Sequence, residues 1–73
     1  MAKRTSSHLT ELQKGLIDLL RILKVEEDTL VGTILALKDS VVEREEMFLY
    51  LYHNRPSEGE IIDKVEEIVL RRQ

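Results

Sequence analysis

His53-Asn54-Arg55-Pro56-Ser57-Glu58-Gly59-Glu60 decides the fold, because one helix end and one helix start stand side by side in it. Pro56 disfavours helical geometry at Arg55, and Asn54 tolerates the left-handed conformation in which helices commonly end. Ser57 and Glu60 then have the S-x-x-E spacing of a reciprocal capping box, and Pro56 can staple onto Ile61. Beyond it Ile61, Ile62, Val65, Ile68 and Val69 recur at helical steps on one face, with acids and Lys64 on the other. Arg71 and Arg72 complement the negative end of that helix, and Leu70 projects away from the stripe. The spacing predicts a helix over 58–72.

On the other side of the boundary, Ser40 and Glu43 repeat the capping-box spacing and predict a helix over 41–54. It opens on a charged turn, Glu43-Arg44-Glu45-Glu46, and continues as Met47-Phe48-Leu49-Tyr50-Leu51-Tyr52, which holds every aromatic residue of the chain. Met47 with Leu51, and Phe48 with Tyr52, are i,i+4 pairs on one side, while Val42 and Leu49 lie on another.

Further upstream, Leu9, Leu12, Leu16, Leu19, Leu20 and Leu23 recur at three- and four-residue steps, one apolar stripe of a helix over about 7–24. Ser7 or the Thr10 and Gln13 pair can cap its start. Gly15 inside this stripe costs about 1 kcal/mol against Ala, which points to close approach of another backbone. Ile17 and Ile22 fall off the stripe on opposite sides. Glu26, Glu27 and Asp28 suit the positive start of a helix over about 26–38, with Leu30, Val31, Ile34, Leu35 and Leu37 apolar and Gly32 and Ala36 as small contact positions. Met1 to Ser6 are polar and without periodicity, and read as a flexible tail.

The expected fold is therefore all-α: a compact bundle of three to four short helices, residues 7–73 forming one domain behind the tail 1–6. A chain of 73 residues, 42% hydrophobic and 34% charged, has the composition of a folded protein but a thin core. With no Cys, neither a disulfide nor a thiolate zinc site can supplement that core, so self-association is the expected aid. The net charge of -3 argues against non-specific binding to nucleic acid or to an anionic membrane. No apolar run approaches the length of a spanning helix, so a cytoplasmic protein is expected.

Three constellations bear on function. Leu23 to Leu30 resembles the turn of a helix-turn-helix motif, which would make the helix starting near Glu26 the DNA reader and the protein a transcriptional regulator. That helix, however, opens with Glu26, Glu27 and Asp28, which phosphates repel, and Lys24 stands where the motif usually has Gly. His8 and His53 have no i,i+4 histidine partner and no H-E-x-x-H exists, while Ser6, Ser7, Ser40 and Ser57 read as tail or caps rather than nucleophiles. No enzyme activity, metal, cofactor or small-molecule substrate is expected. The third constellation is the aromatic helix, apolar around nearly its whole circumference, which the other helices of so small a chain cannot cover on every side. The expected function is a non-enzymatic protein-interaction module, a homodimer or a partner-binding regulator, with Met47, Leu49, Tyr50 and Tyr52 as contact residues and Ile22 or Leu70 extending the patch.

Overall fold

The computed structural model describes the backbone of residues 2–72 and the side chains of residues 11–72. It consists of four α-helices with no strand among the described residues: α1 (Ala2–Ile22), α2 (Glu27–Ala36), α3 (Val41–Asn54) and α4 (Glu58–Arg71). The chain is thus a small all-α bundle. Helix α1 starts at Ala2, ahead of the expected start near Ser7, so Ser7 and Thr10 lie inside it rather than at its N-cap. The apolar stripe marks where burial begins, and good helix formers such as Ala2, Lys3 and Arg4 let the backbone run helical upstream of it.

Helix α1 ends in a Schellman motif. The Lys24 N–H donates to Arg21 O at 3.0 Å and the Val25 N–H to Leu20 O at 3.3 Å, with Lys24 itself at φ 61°. A side chain in that left-handed region carries a steric cost that Gly would not. Leu20 and Val25 pack in the same core, which supplies the apolar contact the motif usually brings. Helix α3 ends differently from the sequence expectation. Asn54 stays helical, its Nδ2 donating to Tyr50 O, and Arg55 takes the left-handed position at φ 44° with its N–H bonded to Leu51 O. The left-handed residue is therefore the one directly before Pro56, where right-handed helical geometry is disfavoured.

The Ser57 box closes in both directions: the Ser57 N–H donates to Glu60 Oε1 at 2.9 Å and the Glu60 N–H to Ser57 Oγ at 3.4 Å. The Ser40 box closes in one. Ser40 Oγ accepts from the Glu43 N–H, but the Glu43 carboxylate does not return, because Arg72, just after α4, holds it. Pro56 and Ile61 are both buried at this junction.

The four helices pack in a ring in which α1 meets α2 and α3, and α4 meets α2 and α3. Glu58, at the start of α4, accepts from the Glu26 N–H before α2, and Arg72, after α4, donates to Ala36 O at the end of α2. Helices α2 and α4 therefore begin at one end of the bundle and finish at the other. Leu16 and Leu20 of α1, Leu30 of α2 with Leu37 just after it, Met47 and Leu51 of α3, and Ile61 and Ile68 of α4 form the buried core. Of the two isoleucines off the α1 stripe, Ile17 packs against this core, whereas Ile22 is 60% exposed. Gly15 answers to close approach as expected, though to a ring and not to a backbone: a Cβ there would stand 3.1 Å from Phe48 Cε1.

Candidate functional site

The polar groups of α3 that the sequence presents as a solvated turn do two separate things. Arg44 is buried, 7% exposed, and caps the end of α2: its Nε donates to Leu37 O at 2.9 Å and its Nη2 to Lys38 O. Arg72 adds a third donor at Ala36 O, 2.6 Å away. Two guanidinium groups thus satisfy carbonyls that a helix C-terminus leaves open, at its negative end. The signal for Arg44 was present in its spacing, since it lies three residues before Met47 and seven before Leu51, on the buried face of α3.

The second arrangement is an ion-pair ladder between α3 and α4. Arg71 donates to both Glu46 oxygens at 3.1 and 2.8 Å, Lys64 lies 3.3 Å from the same carboxylate, and both cations reach Glu67. Arg72 Nε grips Glu43 at 3.0 and 3.1 Å. The Arg72 guanidinium holds the Glu43 carboxyl below its ordinary range, and that of Arg71 does the same for Glu46, each against a smaller opposing effect of burial. Glu43 and Glu46 of this charged turn are therefore part of the helix packing.

A carboxyl whose pKa is depressed on folding stabilises the fold above its unfolded value, and that stabilisation is lost as pH falls through the folded values. The melting temperature is expected to hold between about pH 7 and pH 5 and to drop below that, as these two carboxylates protonate. Glu46→Gln should melt lower than wild type at neutral pH and show a shallower acid drop. Equal acid slopes for the two proteins in a circular-dichroism pH series would contradict this.

Of the proposed contact residues, Met47 is wholly buried in the core and is not available to a partner. Tyr50 is half-buried against α4, with Lys64 Nζ 5.2 Å from its ring centroid, so its ring serves the intramolecular interface. Leu49 and Tyr52 are 48% and 58% exposed. Leu70 is exposed, but it faces outward from α4, beyond the side on which Lys64, Glu67 and Arg71 meet α3.

What α3 leaves open is a stripe that the sequence reading did not assemble. Val42, Glu45, Leu49 and Tyr52 follow one another at steps of three and four residues, all exposed, with Val42 at 73%. Tyr52 is ordered from below: its ring lies parallel to that of Phe48 with centroids 6.2 Å apart, and His53 meets it edge-on at 5.3 Å. Phe48 in turn rests over Gly15 of α1. The stripe is apolar at both ends with one acid in the middle, and its spacing is that of a helix seam.

Compared with protein-family models, curated proteins and solved structures, the chain matches none. The start of α2, the helix that a DNA reader would use, carries exposed Glu26, Glu27 and Asp28, and the fold brings the Glu58 carboxylate onto the same end, accepting from the Glu26 N–H and the Thr29 hydroxyl. Among the described residues, no group of three or more His, Asp or Glu side chains is placed to hold a metal ion, and no helix is long and apolar enough to cross a membrane.

Proposed function

We propose that this protein is a small interaction module that pairs with a second copy of itself through the α3 stripe Val42, Glu45, Leu49 and Tyr52. The single observation that carries the reading is this run of exposed apolar side chains at seam spacing on the helix that also forms the core. Burying a large apolar residue is worth about 1.5–3 kcal/mol relative to leaving it exposed, so three of them supply a real driving force for association.

The charge pattern along α3 favours a second copy in the opposite direction. Its exposed first half is acidic, with Glu45, and its exposed end carries His53 and Arg55. Antiparallel pairing about a two-fold axis sets Val42 of one copy against Tyr52 of the other and Glu45 against Leu49, one helical turn short of His53 at the basic end of its partner. Parallel pairing would set like against like. Four carboxylates around the start of α2 weigh against the alternative reading, a DNA-binding regulator that presents this helix to phosphates.

Sedimentation equilibrium at about 100 μM tests the proposal, since dimers of ordinary strength are populated there. The wild type is expected to run as a dimer, and Leu49→Glu, an exposed position whose substitution spares the core, as a monomer with unchanged helical content. Glu45→Arg should weaken the dimer, and His53→Glu introduced with it should restore part of the affinity. A wild-type monomer at that concentration would overturn the proposal. A shift of mixed-sequence DNA at low salt would favour the regulator instead.

A further inference from the structure

Helices α2 and α4 are fastened at both ends and part in the middle. At one end the Glu58 carboxylate accepts from the Glu26 N–H and the Thr29 hydroxyl, and at the other Arg72 donates to Ala36 O. Between these ties lies an open groove of about 330 Å³ lined by Thr29, Gly32 and Thr33 of α2 and Ile62, Val65 and Val69 of α4, with Glu66 at its edge. Gly32 looks into open space: a Cβ built there meets nothing within 4 Å. The volume accommodates two or three aliphatic side chains, and the groove extends over about two turns of α4.

Away from the end that Arg72 closes, the charges around it are of one sign. Helix α2 contains no Lys or Arg, and the acids Glu26, Glu27 and Asp28 gather at its start. On α4, the cations Lys64 and Arg71 turn to the α3 side and are occupied by Glu46 and Glu67, while Arg72, beyond it, is shared between the Glu43 carboxylate and Ala36 O at the end of α2. This leaves Glu66 exposed beside the groove, with Glu58 half-buried at its end.

From this complementarity we infer that the groove docks a basic amphipathic helix of a partner protein. The partner inserts two or three apolar side chains at i, i+3 and i+4 steps between α2 and α4, and its Lys or Arg residues face Glu58 and Glu66. The site is separate from the α3 stripe and does not depend on pairing through it.

The probe is a dye-labelled helical peptide of about 14 residues with Leu at i, i+3, i+4 and i+7 steps and Lys elsewhere, followed by fluorescence anisotropy on the full chain. A second peptide has Glu in place of Lys, and a neutral naphthylamine dye reports uptake of small apolar molecules. The Lys peptide is expected to bind and the Glu peptide not to. Gly32→Leu, which fills open space and leaves the net charge unchanged, should weaken the Lys peptide by about tenfold or more, and Glu66→Lys should also weaken it. Leu49→Glu should leave its affinity unchanged, so the groove and the α3 stripe are judged independently. Equal binding of the Lys peptide to wild type and Gly32→Leu would overturn the inference. So would uptake of the naphthylamine dye alone, which would make the groove a small-molecule site.

Discussion

Arg44→Met is expected to lower the melting temperature by about 5–15 °C, because it takes from Lys38 O its side-chain donor and leaves Leu37 O with only the longer bond from the Ser40 N–H at 3.4 Å. Arg44 is nearly inaccessible and binds Leu37 O and Lys38 O with two different nitrogens of one guanidinium. Methionine matches much of the aliphatic stem but leaves both carbonyls without that partner. An orphaned buried acceptor costs about 1–3 kcal/mol, and because Leu37 O keeps the Ser40 N–H, only one such cost applies and the loss is roughly 1–3 kcal/mol. Arg44→Lys keeps the positive charge at the negative end of α2 but lacks the planar fork, so it should fall between the two. Thermal melts followed at 222 nm by circular dichroism decide the matter. An Arg44→Met protein melting within about 2 °C of wild type would mean that water replaces the guanidinium at no cost.

The second large effect separates two methionine-length steps along α3. Met47→Ala should cost about 2–5 kcal/mol, the usual range for emptying a fully buried methionine site, whereas Leu49→Ala in the monomer should change stability by less than about 0.5 kcal/mol. The two residues are two apart in sequence, similar in size and equally apolar. They differ in that Met47 packs among Leu16, Leu20, Leu51 and the other core residues, while Leu49 looks outward. Urea titrations at a concentration low enough to keep the protein monomeric give both values. Similar losses for the two would show that Leu49 is covered within the monomer, and would remove the α3 stripe as a contact surface.

Much of the helical skeleton was legible because its signals are local. The Ser57 box, Pro56 and the i,i+4 pairs of α3 act over four residues or fewer, and the structure places α3 and α4 within a residue of the expected ends. Helix α2 is shorter than expected, ending at Ala36, because Leu37 turns into the core as the chain leaves the helix. Boundaries carried by weaker local signals moved further, as at the start of α1, where burial and backbone conformation do not begin at the same residue.

What the sequence determined by itself is where the chain bends and which residues are able to be buried, since caps, proline and apolar periodicity act through nearest neighbours along the backbone. Which residues are in fact buried was settled by the partners that each helix finds. The face of α3 that carries Met47 meets α1 and the core, Tyr50 meets Lys64 on α4, and of its apolar residues Val41, Val42, Leu49 and Tyr52 remain exposed, the last three in line with Glu45. Glu43 and Arg44 read alike as surface charges, yet one is claimed by Arg72 from the far end of α4 and the other fills the end of α2. No local rule distinguishes them, because their partners lie on other helices, and whether a charge is solvated or buried depends on which groups the closed ring brings within hydrogen-bonding reach.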